Sequence, residues 1–154
     1  MKIELKELAG YLPYGLKVIL GSIVRNITAV SIDSPFVFVD AYEGSRDKQM
    51  AGVENIKPIL HPLSDLLKEI EHNREKFTPI EWFEIGDDEN ASLEYDYGNI
   101  KLTKTLKSIA KHNCHNDINY LPYGVVQKFL EWHFDIFGWI EKGLAIDINT
   151  LPHA

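Results

Sequence analysis

The first third of the chain alternates between apolar and polar positions. Leu16, Val18 and Leu20 share one face of an extended run, Leu16–Val24. Ile27–Ile32 follows after Arg25-Asn26, and Phe36–Ala41 follows after the turn triplet Asp33-Ser34-Pro35. These runs predict an antiparallel meander. Ahead of them, Leu5, Leu8, Ala9 and Leu12 have helical spacing, so a short helix is expected over Lys6–Tyr11. After them, Glu43–Gly52 reads as a polar loop and Val53–Ile56 as one more strand.

The pattern then changes period. Leu63, Leu66, Leu67 and Ile70 recur at i, i+3, i+4 and i+7, which predicts a helix over Pro62–His72, with Pro62 in its first turn. Thr78-Pro79-Ile80-Glu81 has capping-box spacing and predicts a brief helical turn through Phe83. Leu93–Leu102 reads as a hairpin about Gly98-Asn99, and Thr103 as the cap of a helix running to about Asn113. The longest amphipathic pattern lies over Pro122–Gly138. Val125, Val126, Phe129, Leu130, Trp132, Ile136 and Phe137 fall on one arc, with Gln127, Lys128, Glu131 and Asp135 on the other. Leu144, Ile146 and Ile148 then alternate in an extended tail.

Together these elements predict an α+β fold in one domain spanning residues 1–154. Residues 1–58 are mainly β, as a small antiparallel sheet or SH3-like barrel. Residues 59–154 are mainly helical, with a hairpin near 93–102. Two short echoes run through the chain. Tyr-Leu-Pro-Tyr-Gly stands at 11–15 and 120–124, and Asp-Ile-Asn-x-Leu-Pro at 117–122 and 147–152. Neither extends into a longer repeat, so both read as reused turn chemistry rather than a solenoid.

Composition narrows the setting. A chain of 154 residues with 45% hydrophobic and 25% charged residues can bury a real core without disulfides or metals. A lone cysteine, Cys114, excludes an internal disulfide and fits a reducing compartment. The N-terminus carries Lys2, Glu4, Lys6 and Glu7 where a signal peptide needs an apolar run. Cytoplasm is therefore the expected location, with no membrane partner. The net charge of −7 resides in one segment: residues 77–100 hold Glu81, Glu84, Asp87, Asp88, Glu89, Glu94 and Asp96, and no Lys or Arg. That segment is read as a solvated loop. An acidic chain disfavours nucleic-acid binding, which depends on phosphate neutralisation.

Three constellations invite chemistry. His112-Asn113-Cys114-His115-Asn116-Asp117 holds three zinc-ligand types, yet a closed site would need His61, His72, His133 or Asp117 to complete it through the fold. Trp132-His133-Phe134-Asp135 brings a His near an Asp. On one continuous helix, however, the two point about 160° apart. His133 is then expected in the core, hydrogen-bonded to backbone or to another side chain, and a functional role would need a carboxylate such as Asp147. Lys101, Lys104, Lys107 and Lys111 form a stripe on one helix face. No nucleophile elbow, P-loop or dinucleotide fingerprint is present. No residue is assigned as catalytic or as a metal ligand, and no cofactor is expected.

Several blocks resemble a family of short proteins found in phages, prophages and mobile elements of gut anaerobic bacteria. They are Tyr11-Leu12-Pro13-Tyr14-Gly15-Leu16-Lys17, Ile56-Lys57-Pro58-Ile59-Leu60-His61-Pro62-Leu63-Ser64-Asp65-Leu66, and Glu131-Trp132-His133-Phe134-Asp135-Ile136-Phe137-Gly138 with Ile140–Leu151. Trp139 and His61 depart from that pattern, which has an aliphatic residue and Arg there. The resemblance implies a bacterial cytoplasmic setting and an accessory role, and it carries no catalytic residue. The expected function is non-catalytic binding of another protein, for which three Trp and seven Tyr supply strong anchors. A nucleic-acid-associated factor is the alternative, and a small enzyme with a site assembled only in the fold is the third reading.

Overall fold

The computed structural model describes residues 2–41, 45–85 and 94–152, with the side chains of 84–85 and 94–101 outside that description. The fold is α+β. Helix α1 (Leu5–Leu8) runs into a 3-10 segment (Ala9–Tyr14) that Gly15 ends at φ +67°. Strands β1 (Lys17–Leu20), β2 (Ile23–Val30), β3 (Phe36–Asp40), β4 (Lys48–Gly52) and β5 (Ile56–Leu60) follow. Strands β6 (Ile70–His72) and β7 (Glu75–Phe77) form a separate hairpin. Helices α2 (Pro79–Ile85), α3 (Glu94–His112) and α4 (Tyr123–Glu131) come next, and strand β8 (Ile146–Asp147) lies near the end.

Among the described residues the main sheet has the order β4-β3-β2-β1-β5-β8. It is an open sheet with edges at β4 and β8, so the barrel alternative does not hold. The first five strands pair antiparallel; β8 joins β5 in parallel, Ile59 opposite Ile146. One buried cluster links Val18, Val37 and Leu60 of the sheet to Leu63, Leu66, Leu106, Ile109, Phe129 and Phe134. Burying such side chains contributes roughly 1.5–3 kcal/mol each.

Several elements differ from the pattern-based expectation, each for a local reason. Gly21-Ser22 breaks the Leu16–Val24 run into β1 and β2, with Gly21 at φ +67° as a tight two-residue hairpin requires. Arg25-Asn26 is not a turn but lies inside β2. There the Asn26 N–H and Nδ2 donate to the Asp40 carboxylate at 2.8 and 3.0 Å. The polar loop over Glu43–Gly52 contains β4, an edge strand whose Lys48, Gln49 and Met50 are exposed and so carry no alternation.

The helix expected over Pro62–His72 is a 3-10 segment (Leu63–Leu67) followed by β6. The apolar stripe is real, since Leu63, Leu66 and Ile70 are all buried. The chain nevertheless leaves the helical region at Lys68 (φ −116°, ψ 158°). It turns at Asn73 and Arg74, both at positive φ, so that Ile70 pairs with Phe77. An Asn-Arg turn lacks the glycine that advertises such a hairpin. The hairpin expected near 93–102 is instead the first half of α3, which ends at Asn113 in the left-handed region.

Helix α4 stops at Glu131, well short of Gly138. The His133 N–H donates to the Leu130 carbonyl at 3.1 Å and the Phe134 N–H to the Phe129 carbonyl at 2.8 Å. This is a Schellman stop with His133 (φ +61°) in the left-handed position that glycine usually takes. The Phe129 and Phe134 rings, 5.9 Å apart, make the apolar contact that accompanies it. Asp135 therefore leaves the polar face of any helix and is buried, 2% exposed.

The two echoes behave differently. Asp117–Pro122 and Asp147–Pro152 both close a 3-10 turn, Leu121 N–H donating to Ile118 and Leu151 N–H to Ile148. The Tyr-Leu-Pro-Tyr-Gly copies do not share a turn: Gly15 is left-handed, whereas Gly124 lies inside α4.

Candidate functional site

The segment after α4 is tied into the rest of the molecule by polar groups. The His61 N–H donates to the His133 carbonyl at 2.8 Å, and the Asp135 N–H to the His61 carbonyl at 2.9 Å. Tyr11, fully buried, donates its hydroxyl to the Phe134 carbonyl at 2.5 Å. Burial, with the nearby Asp135 carboxylate adding to it, raises the Tyr11 phenol well above its usual range, so it stays a donor. The Asp135 carboxylate accepts the Trp139 and Ile140 N–H groups, each at 2.9 Å.

His133 sits beside this strap as a half-buried residue, hydrogen-bonded to backbone as expected: its Nε2 lies 2.7 Å from the Tyr14 carbonyl oxygen. Burial lowers its pKa to about 4, against the raising effect of the Tyr14 contact, with the charges of His72, His61 and Lys17 adding to the fall. The structure places no contact between His133 and Asp147; the Asp147 carboxylate instead accepts the Asn149 N–H at 2.8 Å.

A second polar knot joins the two halves of the chain. His61 Nδ1 stands 3.0 Å from Asp65 Oδ2, and Asn149 Nδ2 donates to both Asp65 oxygens at 3.1 and 2.9 Å. Burial raises the Asp65 pKa, but the hydrogen bonds from His61 and Asn149 and the charges of His61 and Lys68 outweigh it and hold the carboxyl below its usual range. The knot floors an open cleft of about 560 Å³ whose other wall is Ile148, Leu151 and Pro152. In the sequence His61 stands out as a possible metal ligand and as a departure from the resembling family, whereas Asp65 and Asn149 carry no local signal, because Asn149 meets Asp65 from 84 residues away.

These side chains hold chain segments together. The lone pairs of Asp65 and Asp135 and the donors of Tyr11 and Asn149 are directed at partners within the fold.

The zinc-type segment does not close. His112 is exposed at the end of α3, and the His115 ring fills the space at Gly138, where a Cβ would stand 3.1 Å from it. His72 and His133 meet elsewhere, with ring centroids 4.9 Å apart. Among the described residues no group of three or more His, Cys, Asp or Glu is placed to hold a metal ion. Of the lysine stripe, Lys104, Lys107 and Lys111 are exposed on α3, while the Lys101 side chain lies outside the described residues. The centre of the acidic run, Asp87, Asp88 and Glu89, also lies outside them.

A groove of about 570 Å³ with mixed walls, His115, Asn116 and Asn119 among the apolar residues, opens on the other side of α4. The α4 arc is wider than the core uses: Val125 and Phe129 are fully buried, whereas Val126 and Leu130 are half-buried and line this groove with Ile118, Leu121 and Phe137. Tyr123, 76% exposed, stands on its rim, and Tyr120, equally exposed, precedes the lining Leu121. Glu7 contributes a carboxylate to the same wall.

No protein-family model, curated protein or solved structure matches this chain. No helix among the described residues is long and apolar enough to cross a membrane.

Proposed function

We propose that the chain is a non-catalytic accessory protein of a phage or mobile element that binds another protein in the bacterial cytoplasm. The observation that carries this reading is the groove beside α4, with Val126, Leu130 and Phe137 in its wall and the exposed Tyr123 on its rim. Aromatic side chains, tyrosine among them, are enriched among the residues that anchor protein interfaces. The partner that fits is a segment with apolar anchors and a basic group to meet Glu7. The resemblance of the 131–151 block to phage and prophage proteins supports the accessory role.

The test compares the wild-type protein with Tyr120→Ala/Tyr123→Ala in affinity capture from host lysate, with and without nuclease. A partner that survives nuclease and is lost with the double variant supports the reading. Equal capture by both forms overturns it. Partners that vanish with nuclease favour the second reading, contact with nucleic acid through Lys104, Lys107 and Lys111 on α3. That binding would fall steeply with salt.

A further inference from the structure

Strand β4 is an end strand of the main sheet among the described residues. In the β3–β4 ladder the residues that exchange hydrogen bonds lie in line with the Ala41 N–H to Asp47 carbonyl bond and the Val53 N–H to Pro35 carbonyl bond. By the alternation of an antiparallel ladder, Gln49 and Ala51 then bond to β3 through the pairs Val39↔Gln49 and Val37↔Ala51. Lys48, Met50 and Gly52 direct their N–H groups away from the sheet. Among the described residues no strand pairs with this edge, and such an edge is a template for a further strand.

We propose that this edge binds β4 of a second copy of the chain, antiparallel, about a two-fold axis at Met50. An axis at Met50 engages more of the outward-facing backbone groups than an axis at Gln49 or Ala51: Met50 faces Met50 of the other copy as a hydrogen-bonded pair, and Lys48 stands opposite Gly52 on both sides. The two Met50 residues exchange two bonds, and each Gly52 N–H reaches the opposite Lys48 carbonyl.

Charge supports the same register. An edge lysine normally deters strand addition. Here it falls opposite a residue with no side chain. The space where a Gly52 Cβ would stand lies against the Glu54 carboxylate, with Oε1 only 2.6 Å away. Side chains directly opposite on neighbouring strands are about 5 Å apart at Cβ. Each Lys48 ammonium is therefore delivered to the Glu54 carboxylate of the other copy, making two symmetric ion pairs. The competing carboxylate on Lys48's own side, Asp40, is 2% exposed and already accepts two hydrogen bonds from Asn26.

The outer face adds apolar contact. Ala29, Phe38 and Met50 form one cross-strand row over β2, β3 and β4, and Met50 is 58% exposed. The two-fold axis makes the two rows continuous through Met50. Closed symmetry of this kind gives a dimer rather than a fibre.

The experiment is sedimentation equilibrium of the wild-type protein, Met50→Pro, Lys48→Glu, Glu54→Lys and the Lys48→Glu/Glu54→Lys swap. Circular dichroism is recorded for each. Proline at 50 removes an N–H that β3 does not use, so the fold is expected to survive. The expected result is a wild-type dimer at about 100 μM and a monomeric Met50→Pro. Each single charge reversal should weaken the dimer roughly tenfold, and the swap should restore it, because attraction becomes repulsion at two symmetric pairs and then reverts. A monomeric wild type, a dimer untouched by Met50→Pro, or a swap no better than either single variant would overturn the proposal. If Met50→Pro fails to fold, the charge series decides. The Tyr120 and Tyr123 groove plays no part in this interface, so the two proposals stand or fall separately.

Discussion

The imidazole of His133 stands edge-on to that of His72, the rings 4.9 Å apart at 86°. The His72 Nε2 is buried without a hydrogen-bond partner among the described residues, and burial, with the His61 charge, lowers its pKa also. Both rings are therefore neutral in the folded protein near neutral pH, and protonating either would place a cation against its neighbour.

The pH dependence follows in sign. The folded pKa of His133, about 4, is below the unfolded value of 6.5. Between these values the unfolded chain binds more protons, so stability falls as pH drops through this window and levels off below it. For His133 the loss should approach about 3 kcal/mol. Urea unfolding at several pH values measures it. His133→Asn, which tolerates the left-handed backbone, should flatten the slope between pH 6.5 and 4. An unchanged slope would assign the acid sensitivity to other groups.

Asp135 caps the turn that follows. Asp135→Ala would leave the Trp139 and Ile140 N–H groups without their acceptor. A cost of about 2–4 kcal/mol is expected in chemical denaturation. Asp135→Asn, which keeps one acceptor oxygen, should lose less.

Asn149 secures the C-terminal strand through Asp65. Asn149→Ala should cost about 1–2 kcal/mol, discounted for its exposure. Amide exchange should rise at Ile146 and Asp147 in β8. Asp65 has a depressed folded pKa, so its contribution is present above the unfolded value of 3.8 and is lost as pH falls through the folded one. The difference between wild type and Asn149→Ala should accordingly shrink below about pH 4.

Gly138 is required twice over. It sits at φ +73°, and a Cβ would meet the His115 ring at 3.1 Å. Gly138→Ala should destabilise by about 1–3 kcal/mol, from backbone strain and crowding together. Adding His115→Ala should recover the crowding part and leave the strain. Full additivity of the two variants would refute the contact as the cause.

Much of this fold is readable along the chain because it rests on local chemistry. Alternation at Leu16, Val18 and Leu20 and at Phe36–Ala41 marks strands of a half-buried sheet. Thr78-Pro79 marks α2, and Asn113 marks the end of α3. The amphipathic arc at Val125–Leu130 marks α4. In each case the side-chain period or the cap acts within a few residues, where sequence and conformation are directly coupled.

Other features depend on contacts between distant residues. Helix α4 ends at Glu131, with His133 left-handed beyond it, rather than at Gly138 because the strap through His61, Tyr11 and Asp135 captures the chain there, and no glycine marks the spot. The apolar stripe at Leu63–Ile70 has helical spacing, yet Asp65 is drawn to His61 and Asn149, 84 residues away from the latter, and the chain turns into a hairpin instead. β4 is a strand only because β3 lies beside it. The sequence by itself determined the composition of the core and most of the local elements, since burial preference and backbone propensity belong to each residue. The tertiary structure alone decided which polar side chains are buried, where α4 stops, and which edge of the sheet stays open. Each of those is set by hydrogen-bond partners that the chain brings together only when folded.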